Sequence, residues 1–457
     1  MARKKFSLGL LLTAVLITFF LPAIDTDLGW HLRYGNYFLE HGRPMIKNQL
    51  TILHHLQPWP NSYIIYHPLI ALVHRWSELW GLSLLNSIIL TLTVFVTWLI
   101  LNKNLTLTIL VSLITFSGGW TILRYGLRGQ IPSILFLVTL FYFLEKISNN
   151  RKKTIFIGLL FILWANFHGS YFYGILLTGL WAVTNINFWP VIPAVIAPLI
   201  NPFFIDNYRY VISTMRSPLN TMIAEWTPPR LYLQVIAVGT FIFYLAIWWK
   251  KDKLISLKKL FWPLASLSAL YLVINARRNL PQFFLIQAIS LAKLFKSPKI
   301  PYSILNILSL TIVCLSSMII LPKTIKINSN WENYCSKGMT HYPCKAIEFI
   351  RANNLQGNIY NFYRWGGFLT WQLPKNLFFV AGHIPANQLP SGQYPYQLHL
   401  EILQAKPGYQ QQLDNYNIDY ILIPPKTFLD LELQKNNQAP WEEIYRDGIS
   451  VLYRKNG

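Results

Sequence analysis

Acidic residues are scarce in this 457-residue chain: Asp and Glu number 18 against 40 Lys and Arg, and charged residues make up only 13% of the whole. A soluble domain carries about 25% charged residues, so an ordinary soluble protein is excluded. Cysteine is scarcer still, with three. Cys314 sits inside an apolar run and reads as a small apolar residue. Cys335 and Cys344 flank a short loop and could pair in an oxidising compartment. A zinc site would need more ligands, and only His341 is nearby. Also missing is a small-x-small cleavage site after the first apolar run, Phe6–Ala23, which follows MARKK. That run is long enough to span a bilayer and reads as a retained first helix. The chain shows no internal repeat and no low-complexity tract.

What the chain has in quantity is apolar and aromatic surface: 53% hydrophobic residues, with 17 Trp, 25 Tyr and 28 Phe. Rings in such numbers suit the interfacial belts of a membrane protein. The net charge of +22 first suggests a nucleic-acid partner. The basic residues punctuate apolar segments instead of forming one stripe, which argues for no nucleic acid. A crossing needs about 20 apolar residues, or about 17 at the short end. Candidate spans are 6–23, 82–101, 105–120, 130–146, 154–168, 171–185, 188–200, 231–249, 260–276, 280–296 and 301–322. The runs at 105–120, 154–168, 171–185 and 188–200 are short and suit tilted, broken or re-entrant helices.

Lysine position orients these spans. With a cytoplasmic N-terminus, Lys4, Lys5, Lys103, Lys146, Lys152, Lys153, Lys250, Lys251, Lys253, Lys258, Lys259, Lys293, Lys296 and Lys299 fall inside; before residue 300 only Lys47 does not. This is the positive-inside pattern. It puts loops 24–81 and 201–230 outside the cell membrane, together with everything after residue 322. Most arginines map to that outer side, including Arg33, Arg124, Arg128, Arg277 and Arg278. Orientation does not require them there. The planar guanidinium fork suits phosphate or carboxylate, although any single arginine can equally pair with a lipid headgroup or a loop carbonyl.

The expected fold is therefore an α-helical polytopic membrane protein: a bundle of about eleven helices over 1–322, then a small extracytoplasmic α/β domain over 323–457. In the latter, Lys345–Asn354 reads as a helix. Asn358–Phe362, Leu377–Ala381 and Asp419–Ile423 read as short buried strands. Glu442–Arg446 and Ile449–Arg454, joined by Asp447-Gly448, read as a hairpin.

Chemistry-bearing residues gather on the outer side. Asp25-Thr26-Asp27 lies where the first helix leaves the membrane, followed by Trp30, His31, Arg33 and Tyr34. In extended backbone, residues i and i+2 point the same way, so both carboxylates could address one site. Such a group can deprotonate a hydroxyl, and a pair can hold a divalent cation such as Mg or Mn. A solvated helix end is the competing account. Arg124-Tyr125-Gly126-Leu127-Arg128-Gly129 breaks helix between two spans, and its arginines suit a lipid-linked phosphate. His168 closes WANFHG, Glu225 opens EWTP in the second large loop, and Arg277-Arg278-Asn279 separates two later spans. Trp365-Gly366-Gly367 in the outer domain suits either glycan stacking or a tight turn.

These features together resemble the GT-C superfamily of membrane glycosyltransferases, which includes the dolichyl-phosphate-mannose protein mannosyltransferases and the bacterial lipid A aminoarabinose transferases. The resemblance is closer to a broad prokaryotic group of GT-C-like membrane proteins. It is carried by DTDLGWHLRYG at Asp25–Gly35, WANFHG at Trp164–Gly169, EWTP at Glu225–Pro228, GNIYNFYRWGGFLTWQL at Gly357–Leu373, and Tyr445–Arg454. It implies a polyprenyl-phosphate-linked sugar as donor and a glycan, lipid or protein as acceptor. Asp25 or Asp27 would be the base, and attack would invert the anomeric carbon. Arg124, Arg128, Arg277 and Arg278 would hold the donor phosphate, and His31, Arg33, His168 and Glu225 would contact substrate. Asp-Thr-Asp stands where the protein mannosyltransferases have Asp-Glu, which leaves open the base and any metal on Asp25 and Asp27. Two other readings stay open: a flippase or transporter of an anionic lipid or glycan, and a noncatalytic envelope-assembly protein on the same scaffold.

Overall fold

The computed structural model describes residues 2–251, 256–295, 300–384, 387–435 and 440–456. Lys253, Lys296 and Lys299, part of the lysine pattern, lie outside the described residues. The helices are α1 (Ala2–Thr18), α2 (Leu28–His41), α3 (Tyr66–Ile100), α4 (Leu105–Leu123), α5 (Ile131–Lys146), α6 (Asn150–Ala165) and α7 (Tyr171–Asn185). They continue with α8 (Val191–Ile196), α9 (Ile205–Arg216), α10 (Leu231–Lys251), α11 (Phe261–Asn275), α12 (Leu280–Leu294) and α13 (Tyr302–Asn328). The last third holds α14 (Trp331–Lys337), α15 (Cys344–Ala352), α16 (Gly366–Gln372), α17 (Pro395–Leu403), α18 (Tyr409–Asn415) and α19 (Phe428–Lys435). Its strands are β1 (Asn358–Asn361), β2 (Leu377–Phe378), β3 (Tyr420–Ile423), β4 (Trp441–Arg446) and β5 (Val451–Lys455).

Each expected span overlaps a helix in part, though the first helix ends at Thr18, short of Ala23. Among the described residues five helices are long and apolar enough to cross a bilayer unaided: Tyr66–Ile100, Leu105–Leu123, Leu231–Lys251, Leu257–Asn275 and Tyr302–Asn328. The other expected spans run from 17 residues in α1 down to six in α8. The run at 188–200 is not one span. Pro190, Pro193 and Pro198 interrupt it, leaving α8 and a single 3-10 turn, because proline removes a helical donor and crowds the preceding turn.

The chain forms two compact units. One comprises Met1–Pro22, Asn61–Ile65 and Ser83–Thr324; the other comprises Ala23–Pro60, Tyr66–Leu82 and Ile325–Gly457. The division is not the linear one expected at residue 322, because the first loop folds with the C-terminal third. Helix α3 contributes to both units, and its backbone leaves helical geometry at Ser77 and Glu78.

In the helical unit, close approach of α4 and α12 depends on small residues. A Cβ on Gly118 would collide with the Phe284 ring, and one on Gly119 would lie 3.0 Å from Pro281 Cα. Hydroxyls buried in these apolar helices turn back on their own backbone. Thr93, Thr97, Thr108 and Ser112 each donate to the carbonyl four residues earlier, which removes the cost of an unpaired polar group.

The second unit is a mixed α/β fold. Its sheet has the order β2-β1-β3-β5-β4; β2, β1 and β3 run parallel, and β5 is antiparallel to β3 and β4. Apolar side chains of β1, β3 and β5 pack with α17, α18 and α19 around Tyr360, Ile421, Leu413, Leu429 and Val451. First-loop residues extend the β2 edge: Ile52 N–H donates to the Phe378 carbonyl at 2.8 Å, and Phe378 N–H to the Leu50 carbonyl at 3.3 Å. The expected hairpin forms, but not through a left-handed glycine. Asp447 Oδ1 accepts the Ile449 and Ser450 N–H groups at 2.8 and 2.7 Å and closes the turn itself. Cys335 and Cys344 are joined as a disulfide.

Candidate active-site clusters

The helical unit assembles one charged cluster. Helix α4 stops at Leu123, and Gly126 at φ +75° turns the chain into α5. Arg128, on that turn, has a side chain only 4% exposed. Its guanidinium donates to both Glu225 oxygens, at 2.7 and 3.0 Å. Glu225 and Thr227 in turn fix the segment before α12. The Arg278 N–H donates to the Glu225 carbonyl at 3.2 Å, and the Arg277 N–H to the Thr227 carbonyl at 2.9 Å. The Arg278 guanidinium lies over the Trp226 ring at 5.2 Å. Burial pulls Arg278 below its ordinary value, opposed by the Glu225 carboxylate and the Tyr63 phenol and reinforced by Arg128. A guanidinium stays charged under such pressure. Arg277 has a buried Nε with no hydrogen-bond partner among the described residues.

His168 belongs to the same cluster. Its Nδ1 lies 2.8 Å from Ser170 Oγ, which donates to Ser133 Oγ and accepts the Trp164 indole N–H at 3.0 Å. Its ring meets the Tyr63 ring at 5.9 Å, and a Cβ on Gly129 would stand 2.8 Å from Tyr63 Cε1. Arg124 is exposed and donates to the Tyr125 hydroxyl at 3.0 Å; its guanidinium and that of Arg128 lie over the Tyr125 ring at 5.1 and 5.8 Å.

The α/β unit holds the acids. The backbone at residues 25–28 is a turn, with Leu28 N–H donating to the Asp25 carbonyl at 3.2 Å. The extended geometry that would point both carboxylates the same way is absent. Asp25 is buried, 3% exposed, whereas Asp27 is half-buried at the head of α2. Asp27 Oδ1 accepts the Trp30 indole N–H at 3.0 Å. Burial, with the Asp25 charge adding to it, pushes the Tyr334 phenol above its ordinary value. Tyr342 is pushed up by burial first, then by Tyr334, Asp25 and Asp27. Both phenols therefore stay protonated beside the acids.

Three glycines bring the acidic motif and the Trp-Gly-Gly motif into backbone contact. A Cβ on Gly29 would overlap the Gly367 carbonyl, one on Gly367 would press on the Thr26 carbonyl, and one on Gly382 would strike Asp27 Oδ1. Trp365-Gly366-Gly367 is not a tight turn: Gly366 opens α16 with helical backbone (φ −52°, ψ −47°), and the glycines serve the close approach instead, while Trp365 is 2% exposed and its indole donates to the His341 carbonyl at 2.8 Å.

His31 is buried against Trp30, Tyr66 and His67, with ring centroids 3.6, 5.0 and 5.1 Å away. Arg33 is half-buried on α2. His383 packs on Trp59 at 5.0 Å and donates from Nε2 to Asn48 Oδ1 at 3.1 Å. Burial, with His54 nearby, pushes its imidazole down to about 3, so it is neutral at pH 7. Among the described residues no three His, Cys, Asp or Glu side chains converge as a metal site. A cation on Asp25 or Asp27 would need its other ligands from water or substrate.

Sequence reasoning did not single out Tyr63, Tyr334, Tyr342 or His383. Each is distant in the chain from the motif it touches and has no distinctive local spacing. Trp226 was within reach, since it follows Glu225 in EWTP.

No family model matches the chain, and no curated protein matches it. Solved structures do. A crystal structure of ArnT from Cupriavidus metallidurans, bound to undecaprenyl phosphate, superposes with a TM-score of 0.52 at 11% identity, covering 98% of this chain and 97% of that one. The Archaeoglobus fulgidus oligosaccharyltransferase in its apo form gives 0.54 at 11% identity, covering 92% and 69%. The same organism's AglB, in complex with an inhibitory peptide and a dolichol-phosphate, gives 0.54 at 10% identity over the same shares. At these identities the likeness is one of fold, and the chain shares that fold with all three structures.

Proposed function

From that fold, we infer that the protein is a membrane glycosyltransferase that moves a sugar from a polyprenyl-phosphate donor to an acceptor on the outer face of the membrane. The lysine pattern supports the orientation, with the N-terminus cytoplasmic and the C-terminal third outside. The observation that carries the reading is the cluster of Arg128, Arg277, Arg278 and His168 around Glu225. Arg128 is charge-balanced by Glu225 and braces the loop. Arg277 and Arg278 supply cationic donors suited to a phosphate, and the Arg277 Nε lacks any partner among the described residues.

Asp27 takes the role of base. It is the less buried acid, and the Trp30 indole fixes one of its oxygens. The acceptor hydroxyl attacks the anomeric carbon while its proton passes to the Asp27 carboxylate. The new glycosidic C–O bond forms as the bond from that carbon to the phosphate oxygen breaks on the opposite face, which inverts the centre. The phosphate leaves with the electron pair. Asp25, enclosed with Tyr334 and Tyr342, positions the turn.

Purified protein given a polyprenyl-phosphate sugar and an acceptor should form glycosylated product. Asp27→Asn should lower kcat by about 10²-fold or more, and Arg278→Ala should weaken use of the donor. Full activity in both Asp25→Asn and Asp27→Asn would remove the assignment. Carrier flux across vesicles without any covalent product would favour a flippase instead.

A further inference from the structure

The opposite end of the helical unit from Arg128 carries a second set of cations that the transfer reaction does not use. Helix α4 separates the two ends by about 28 Å, at about 1.5 Å rise per residue. At its first turn lies a cavity of about 530 Å³, lined by Asn104, Trp248, Lys258, Lys259, Trp262 and Lys293 among others, with no acidic residue in its lining among the described residues. A second cavity of about 380 Å³ shares Lys258 and Trp262 and adds Lys146, Lys153 and Trp181.

The lining is built. The Lys293 ammonium lies 2.6 Å from Glu145 Oε2 and over the Trp262 ring at 5.1 Å. The Trp262 indole donates to the other Glu145 oxygen at 2.8 Å. Lys153, 5% exposed, places its ammonium 4.2 Å from the Trp181 ring centroid, and Lys146 donates to Asn102 Oδ1 at 2.6 Å. Among the described residues one carboxylate thus stands against five lysines around the two cavities. Asn104 caps α4 and borders the first cavity, so the positive end of a 19-residue helix adds to the field. Tryptophan beside lysine at the ends of apolar helices is the chemistry of the headgroup layer.

We propose that these two neighbouring cavities bind the headgroup of an anionic phospholipid at the end of the helical unit away from Arg128. Its phosphate oxygens lie among Lys258, Lys259 and Lys293, and its glycerol region lies against Trp248 and Trp262. Basic pockets between helix ends bind such headgroups because the cations meet the phosphate where water is partly excluded. The proposal is independent of the transferase reading.

The test uses detergent-purified full-length protein and measures binding of phosphatidylglycerol, phosphatidylcholine and inorganic phosphate. Wild type should bind phosphatidylglycerol about tenfold or more tightly than phosphatidylcholine, and millimolar inorganic phosphate should not displace it. The K258Q/K259Q variant should bring the two lipids within about twofold of each other, whereas K5Q/K152Q, at lysines that line neither cavity, should keep the wild-type preference. Equal binding of both lipids by wild type would overturn the proposal. So would equal loss in both variants, which would mean diffuse attraction. Displacement by inorganic phosphate alone would mark a free-anion site and also overturn it.

Discussion

At the scale of single residues, charge is placed where something answers it. Asp430 in the α/β unit is 1% exposed and accepts from Arg446 at 2.7 Å, from the Tyr453 hydroxyl at 2.6 Å and from the Lys426 N–H at 2.6 Å. Burial alone would raise its carboxyl, but these bonds outweigh burial and hold it below its ordinary value of 3.8. A depressed carboxylate contributes stability above its unfolded value and loses it as pH falls through the folded one. Thermal unfolding should therefore show the protein weakening below about pH 4, and Asp430→Asn should flatten that part of the profile at a lower plateau. In the helical unit, Glu225→Ala leaves the Arg128 charge buried without its carboxylate and should cost about 3–5 kcal/mol; an Arg128→Met/Glu225→Leu double variant should recover much of the loss in melting temperature. The sequence made the acids and arginines legible as candidates, since charge is rare in such a chain. It did not reveal that Glu225 is Arg128's partner, because 97 positions separate them. Nor did it reveal the turn at Asp25, because Asp-Thr-Asp is compatible with both extended and turned backbone.

At the scale of elements, legibility followed the length of the pattern. Long apolar runs located the helices well: 171–185 coincides with α7, and 105–120 falls within α4. In the α/β unit, apolar runs located β1, β3 and the hairpin. The short helices α17, α18 and α19 bury only a few residues each, too few to set a period. The contact of α2 with α16 has no sequence period at all, since it is made by two glycine backbones. Its dependence on missing side chains is testable. Gly29→Ala should destabilise the α/β unit by about 1–3 kcal/mol, and Gly448→Ala, where a Cβ meets nothing within 4 Å, should change little; unfolding monitored by tryptophan fluorescence compares them. Removing the Cys335–Cys344 disulfide by Cys→Ser at both positions should lower stability by about 2–3 kcal/mol, as expected for a short closed loop.

At the scale of the whole molecule, hydropathy correctly gave a membrane protein with a helical bundle and a small α/β region. It could not give the partition between them, because loop 24–81 looks like any polar connection between spans. That loop completes a fold whose other pieces begin at Ile325. Residues 325–457 expressed alone should therefore fail to fold as a compact domain: the β2 edge loses Leu50 and Ile52, and the Gly366-Gly367 start of α16 loses α2. Adding 23–60 and 66–82 back should restore dispersed amide spectra, and a well-folded 325–457 fragment would contradict this account.

The pairing of Gly29 with Gly367 also sets an order of events during synthesis. Gly29 leaves the ribosome about 340 residues before Gly367, an interval of about 17–70 s at ordinary elongation rates. Through that interval the loop exists without its scaffold and Asp27 without the neighbours that fix it. The segment around Gly367 therefore acts as a timer, and Asp27 reaches its final surroundings only after Gly367 and Gly382 have been made.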